Sequence, residues 1–187
     1  MSPRPLALVV LLLTLAGCSI GTSSPEELET SYPLARWTAA SPRGIRRSLA
    51  LLEKEFGRGY QLRTVSISTH SFSADVQPPG RAGELDSISF WKGSLRDRTP
   101  KQTSAQELEK LGQELFSPDP ALFDRIPGLL LASIKQSGLP EARVTHVHIA
   151  RSWRSPQLEI RVSVTNKRRN ATVRWSAAGA LIEIQQH

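Results

Sequence analysis

Apolar residues recur at helical spacing in three stretches of the chain and alternate with polar residues through most of the remainder. Ile45, Leu49, Leu52 and Phe56 mark a first helix, which Ser41-Pro42 introduces as an N-cap followed by proline at the first helical position, and which Gly57 or Gly59 ends. Ser104 with Glu107 three residues later forms a capping box, and Leu108, Leu111 and Leu115 give this second helix one apolar face. Ser117-Pro118-Asp119-Pro120 stops it. A third helical stretch runs from about Ala121 to Gln136, with Ile126, Leu130 and Ile134 on one face. Pro127 is expected to divide it, and Gly138 and Pro140 to prevent its continuation.

Between the helices the period changes to two. Val65 and Ile67, Ala74 and Val76, and Ile88 and Phe90 predict three strands, with Pro78-Pro79-Gly80 as one of the turns. Val147 and Ile149 begin a second set. Leu158, Ile160, Val162 and Val164 give the cleanest half-buried strand pattern, and Ala171, Val173 and Trp175 alternate on the return from a turn at Asn166 to Asn170. Ile182 and Ile184 open a last strand after Gly179. The expected fold class is α+β with an antiparallel sheet.

The order of elements repeats: helix, glycine, then three or more strands. Ile45 corresponds to Ile126, Gly59 to Gly138, Val65 and Ile67 to Val147 and Ile149, and Trp91-x-Gly93-x-Leu95 to Trp175 and Gly179-x-Leu181. Neither half alone covers both a helix stripe and a sheet face, so two repeats, about 41–100 and 104–187, are expected to pack as one compact domain spanning 41–187.

The first forty positions read differently. Arg4 precedes an apolar run from Leu6 to Leu15, broken by Thr14 and closed by Leu15-Ala16-Gly17-Cys18. The run is short for a permanent span, and small residues before the cysteine suit a signal peptidase, so 1–17 is expected to be a signal peptide. Cys18 is the only cysteine, which excludes an intramolecular disulfide. Its thiol is the expected lipidation site; an acyl chain contributes about 0.8 kcal/mol per buried CH₂. Residues 18–40 then hold the lipidated cysteine and a tether whose Ser, Thr, Glu and Pro content to about Pro33 offers little core. The Leu15-Ala16-Gly17-Cys18 box resembles that of Gram-negative bacterial lipoproteins. In that family the residue after the cysteine influences sorting, and Ser19, where an inner-membrane protein usually has aspartate, implies the outer membrane with the domain on its periplasmic face.

The formal net charge of +7 changes the picture only modestly. The cations are spread as Arg43-Arg46-Arg47, Arg96-Arg98-Lys101, Arg151-Arg154 and Lys167-Arg168-Arg169, a distribution that suits either a solvated basic surface or contact with anionic lipid. Nucleic acid is not an expected partner for an exported chain.

Chemistry-bearing motifs are sparse. His146-x-His148 puts two imidazoles on one face of a strand, but two ligands are too few for a metal and no acid or cysteine is near in sequence. His70 and His187 are isolated. Nucleophile-elbow, phosphate-loop, zinc-protease and dinucleotide motifs are absent, so no catalytic residue, metal or cofactor is expected. Asn170-Ala171-Thr172 fits a glycosylation sequon that bacterial export makes accidental. Of Trp37, Trp91, Trp153 and Trp175, the last continues the Ala171-Val173 alternation into the core. Trp153, between Arg151 and Arg154 in an expected loop, is the best partner-binding anchor.

The element order and the Trp175-Ser176-Ala177-Ala178-Gly179-Ala180-Leu181 turn are similar to tandem PepSY-like and β-lactamase-inhibitor-protein-like periplasmic domains. That resemblance implies binding or inhibition rather than catalysis and transfers no site residues. The expected function is a membrane-anchored, non-enzymatic binding or envelope-assembly role, with an envelope protein or anionic lipid as partner. An amphiphile carrier is the alternative, requiring an apolar pocket, and an envelope enzyme the third possibility.

Overall fold

A computed structural model describes residues 39–152 and 155–187. Three helices and eight strands follow in the order α1 (Pro42–Phe56), β1 (Gln61–Ile67), β2 (Ser71–Gln77), β3 (Leu85–Trp91), β4 (Ser94–Lys101), α2 (Ala105–Glu114), α3 (Pro120–Gln136), β5 (Arg143–Ser152), β6 (Ser155–Thr165), β7 (Asn170–Ser176) and β8 (Leu181–Gln186). All strands join one antiparallel sheet in the order β4-β3-β2-β1-β5-β6-β7-β8. The fold is α+β and compact.

Each helix begins where its side chains can accept from free backbone N–H groups. Ser41 accepts from Gly44 N, Ser104 from Glu107 N within the capping box, and Asp119 from Ala121 N. Helix α1 ends at Gly57, whose φ of +78° belongs to the region that glycine occupies freely. Pro127 does not divide α3, contrary to expectation: the helix runs unbroken from Pro120 to Gln136. Leu122, Phe123, Ile126 and Leu130, all buried on both sides of that position, offset the roughly 3 kcal/mol that an interior proline costs.

One face of the sheet packs against α1 and α3. Leu62, Val65, Ile67, Phe72, Val76, Ile88, Phe90, Val147, Ile149, Ile160, Val162 and Val173 meet Ile45, Leu52, Phe123, Ile126 and Leu130 in a single cluster. Trp175 belongs to it at 5% exposure, and its Nε1–H donates to Ser133 Oγ at 2.8 Å. Every buried side-chain nitrogen and oxygen among the described residues has a partner. A second, separate cluster of Leu85, Leu111 and Leu115 lies on the other side. Leu85 is three residues from Ile88 in β3 and therefore faces the opposite way. Helix α2 thus covers one end of the face that α1 and α3 leave open.

The centre of the sheet has a local two-fold relation. Val65 pairs with Ile149 and Ile67 with Val147, around Ser66 and His148, which are 82 positions apart. Register also slips between Leu62 and Thr64 in β1 and, at that same spacing, between Val144 and His146 in β5. The expected match of Trp91 with Trp175 fails in this geometry. Phe90 pairs with Phe72 as Trp175 pairs with Ile160, so the inward counterpart of Trp175 is Phe90, while Trp91 points outward at 44% exposure. Strand β4 had no sequence signal, because all eight of its residues are exposed and none alternates into a core.

Candidate functional site

The alternation that buries one face exposes a run of polar residues on the other. From β3 to β8 this open face carries Ser89, Ser73 and Asp75, Ser66, His146 and His148, Glu159 and Arg161, Arg174, and Glu183. The half built on β1 to β4 is rich in serine. The half built on β5 to β8 is charged.

On the charged half, Glu159 is 4% exposed and is the buried charged side chain among the described residues. Arg174 Nη2 donates to its Oε1 at 2.9 Å and to its Oε2 at 3.1 Å, and Arg161 Nη2 reaches Oε2 at 3.4 Å. Arg174 also pairs with Glu183, whose other oxygen accepts from Gln185 at 2.9 Å. The Glu159 hydrogen bonds lead the causes that raise the Arg174 guanidinium above its ordinary value. The carboxylate held by two guanidinium groups ties β6 to β7, and the Arg174–Glu183 pair extends the network to β8.

At the centre, Ser66 Oγ and His148 Nδ1 are 3.3 Å apart. Burial lowers the pKa of His148, Arg161 and His146 lower it further, and Asp75 opposes them; burial alone lowers that of His146. Asp75 accepts from Lys101 Nζ at 2.6 Å. A serine and a histidine in contact are two parts of a nucleophilic site, but the acid that would orient the imidazole is engaged by a lysine. No cluster of three or more metal-ligating side chains exists among the described residues.

One end of the open face is walled by α2. Arg63, the extra residue at the β1 bulge, donates to Glu114 Oε2 at 2.7 Å and lies 3.5 Å from Glu107 Oε1, which ties that helix down. Arg151, expected in an exposed loop, lies in β5, is half-buried, and donates from Nε to Leu115 O at 3.0 Å. The strand persists further than expected because it pairs with β6 as far as Ser152 with Ser155. Trp153 and Arg154, the other two expected anchors, lie outside the described residues, as do Cys18, the signal segment and the tether. No described helix is long and apolar enough to cross a membrane.

The chain shares its fold with a candidate lipoprotein from Clostridium difficile 630. The match has a TM-score of 0.54 at 5% identity and covers 76% of this chain and 92% of that one. A BLIP-like protein from Bacteroides fragilis NCTC 9343 matches at a TM-score of 0.27 and 15% identity, over 75% of this chain and 84% of that one. A candidate periplasmic protein from Bacteroides eggerthii DSM 20697 also matches at 0.27, with 12% identity, over 75% and 86%. Only the first of these reaches a common fold. No protein-family model matches the chain, and no curated protein matches its sequence.

The open sheet face was partly legible in the sequence. His146 and His148 were expected opposite Val147 and Ile149, and they are. The Glu159–Arg174 pair was missed. Its signal is a glutamate preceding the inward Ile160 and an arginine preceding the inward Trp175, which places both on the outer face.

Proposed function

We propose that this protein is a non-enzymatic lipoprotein of the bacterial envelope, held by a lipid on Cys18 at the periplasmic face of the outer membrane, whose open sheet face binds a partner protein. The observation that carries the binding role is the division of the sheet: eight strands wide, packed by α1 and α3 on one side and left polar on the other. A broad, rigid face with pre-ordered arginine–carboxylate pairs suits recognition of a complementary protein surface. Trp153 and Arg154, beside Arg151 in sequence, are proposed as further partner contacts. The carrier alternative has less support, since Phe72, Phe90, Phe123, Leu52 and Ile126 fill the space between helices and sheet.

Photoreactive residues placed at Ser73, Ser89 and Ser163 on the open face, and at Ala50 on exposed α1, test the binding role in intact cells. Adducts of one mass from the sheet positions only are expected; equal adducts from Ala50 or none at all would refute the assignment. For the anchor, Cys18→Ala should abolish labelled-palmitate incorporation, and Ser19→Asp should move the protein to the inner membrane on fractionation. Unchanged labelling in the first variant would sink the lipid site.

A further inference from the structure

The described chain begins at Ala39, and Ala39 N donates to Thr69 O at 3.4 Å in the turn between β1 and β2. That turn is clipped to the next hairpin. Lys92 N donates to His70 O at 2.8 Å, and the His70 ring meets Trp91 edge-on, with centroids 5.6 Å apart and planes at 74°. The entry point of the polypeptide therefore sits beside the turn between β3 and β4.

This hairpin tip has an unusual surface. Trp91 is 44% exposed and Leu95 47%, and with Ser94 and Arg96 they line an open hollow of about 630 Å³. The Arg96 guanidinium carbon lies 6.0 Å from the Trp91 ring centroid. Gly93, with φ +74°, lies so close to Arg47 of α1 that a Cβ there would come within 2.7 Å of Arg47 Nε. Arg96 thus lies by an exposed indole, and Arg47 and Lys92 lie at the adjoining turn. The nearest carboxylate along the strand, Asp97, accepts from Thr99 at 3.1 Å. The turn between β6 and β7, which carries Lys167, Arg168 and Arg169, is at the same end of the strands.

We propose that this end of the domain is a membrane-apposed surface, in which Trp91 and Leu95 enter the headgroup layer of an anionic phospholipid leaflet and Arg47, Lys92 and Arg96 meet its phosphates. The proposal rests on the lipid anchor at Cys18. Positions 19 to 38 separate Cys18 from Ala39. Twenty residues reach at most about 70 Å even when fully extended. The lipid on Cys18 therefore stays within that reach of the end of the domain where Ala39 enters. Indole prefers the interface between water and hydrocarbon, where its apolar body and polar edge are both satisfied. Cations around it are attracted by anionic lipid within a Debye length. The serine rows of the open face stay available to a protein partner.

The whole mature chain carrying Cys18→Ser, which has no acyl chain, is mixed with vesicles of phosphatidylethanolamine alone or blended with phosphatidylglycerol, and sedimented. Binding to the blended vesicles, weakened by raised salt, is expected. A cation at an anionic surface strengthens binding about fivefold, so Arg47→Glu, Lys92→Glu and Arg96→Glu together should weaken it by at least about a hundredfold. Brominated acyl chains should quench tryptophan fluorescence of the bound protein, and Trp91→Phe, which retains a ring and the fold, should lose most of that quenching. Equal binding to neutral and blended vesicles, no binding, or undiminished quenching in Trp91→Phe would overturn the proposal. Palmitate labelling of Cys18 in cells reports on the anchor separately, so its failure leaves the vesicle result to be judged alone.

Discussion

The hydrogen bond from Trp175 to Ser133 joins β7 to α3, and a double-mutant cycle measures what it contributes. Both residues are buried, at 5% and 0% exposure, and the donor and acceptor are 2.8 Å apart. Ser133→Ala leaves the indole N–H without an acceptor in a dry environment, which costs about 1–3 kcal/mol. Trp175→Phe removes the donor and part of a large apolar side chain, and is expected to cost about 2 kcal/mol, of which about 1 belongs to the hydrogen bond. In the double variant neither group is orphaned, so the total should stay near 2 to 3 kcal/mol rather than the sum of the two, a coupling of about 1–2 kcal/mol. Urea titration followed by far-ultraviolet circular dichroism on the mature chain with Cys18→Ser reads this as shifts in midpoint at constant slope. Additivity within about 0.5 kcal/mol would show that the pair does not couple helix to sheet, and the reasoning would fail.

Three further outcomes follow from other parts of the fold. Burial, reinforced by Glu53, pushes the Tyr60 phenol up to about 12, so the unfolded chain ionises first; stability should hold below pH 10, fall between about 10 and 12, and lose that fall in Tyr60→Phe, as urea midpoints across the range would show. His146 and His148 are shifted the other way by burial, so the stability they confer is present above the ordinary histidine value and lost as pH falls through their folded values; replacing both with Gln should flatten thermal midpoints between pH 7 and about 5. Ser104→Ala removes the capping box of α2 at a cost of about 1 kcal/mol. Because α2 packs through its own small cluster, hydrogen exchange should quicken in Ala105–Glu114 and leave β1 and β5 unchanged.

Elements that alternate or cycle against a single core were legible in the sequence, and of the two edge strands β8 was legible through Ile182 and Ile184 while β4 was not. Val162 and Val173 announce their strands because each is fully buried between half-buried polar neighbours. β4 lies at the margin of the sheet, where Arg96, Asp97, Arg98, Pro100 and Lys101 resist further pairing and erase any alternation. Leu85 read as part of no pattern, since it is buried by α2 on the face that is otherwise polar. Pro127 misled for a different reason: local propensity marks a break, while packing on both sides of it holds the helix together. The candidate face itself was half legible, since alternation shows which residues point outward but not that Glu159 and Arg174 would meet across neighbouring strands.

The central pairing explains how one scaffold can present two different surfaces. β1 and β5 share a burial pattern, a register slip after their first inward residue, and a two-fold arrangement about Ser66 and His148. Inward positions along both strands are restricted to Leu, Val and Ile by the space under the helices. Outward positions carry no such restriction, and there the two halves diverge into serines on one side and an arginine–glutamate network on the other. Binding chemistry on such a sheet is therefore set by residues whose replacement leaves the fold intact. Substituting Ser73 or Ser89 should alter partner capture without moving the urea midpoint, whereas Glu159→Gln, which disturbs the contacts of two arginines with a buried carboxylate, should move both.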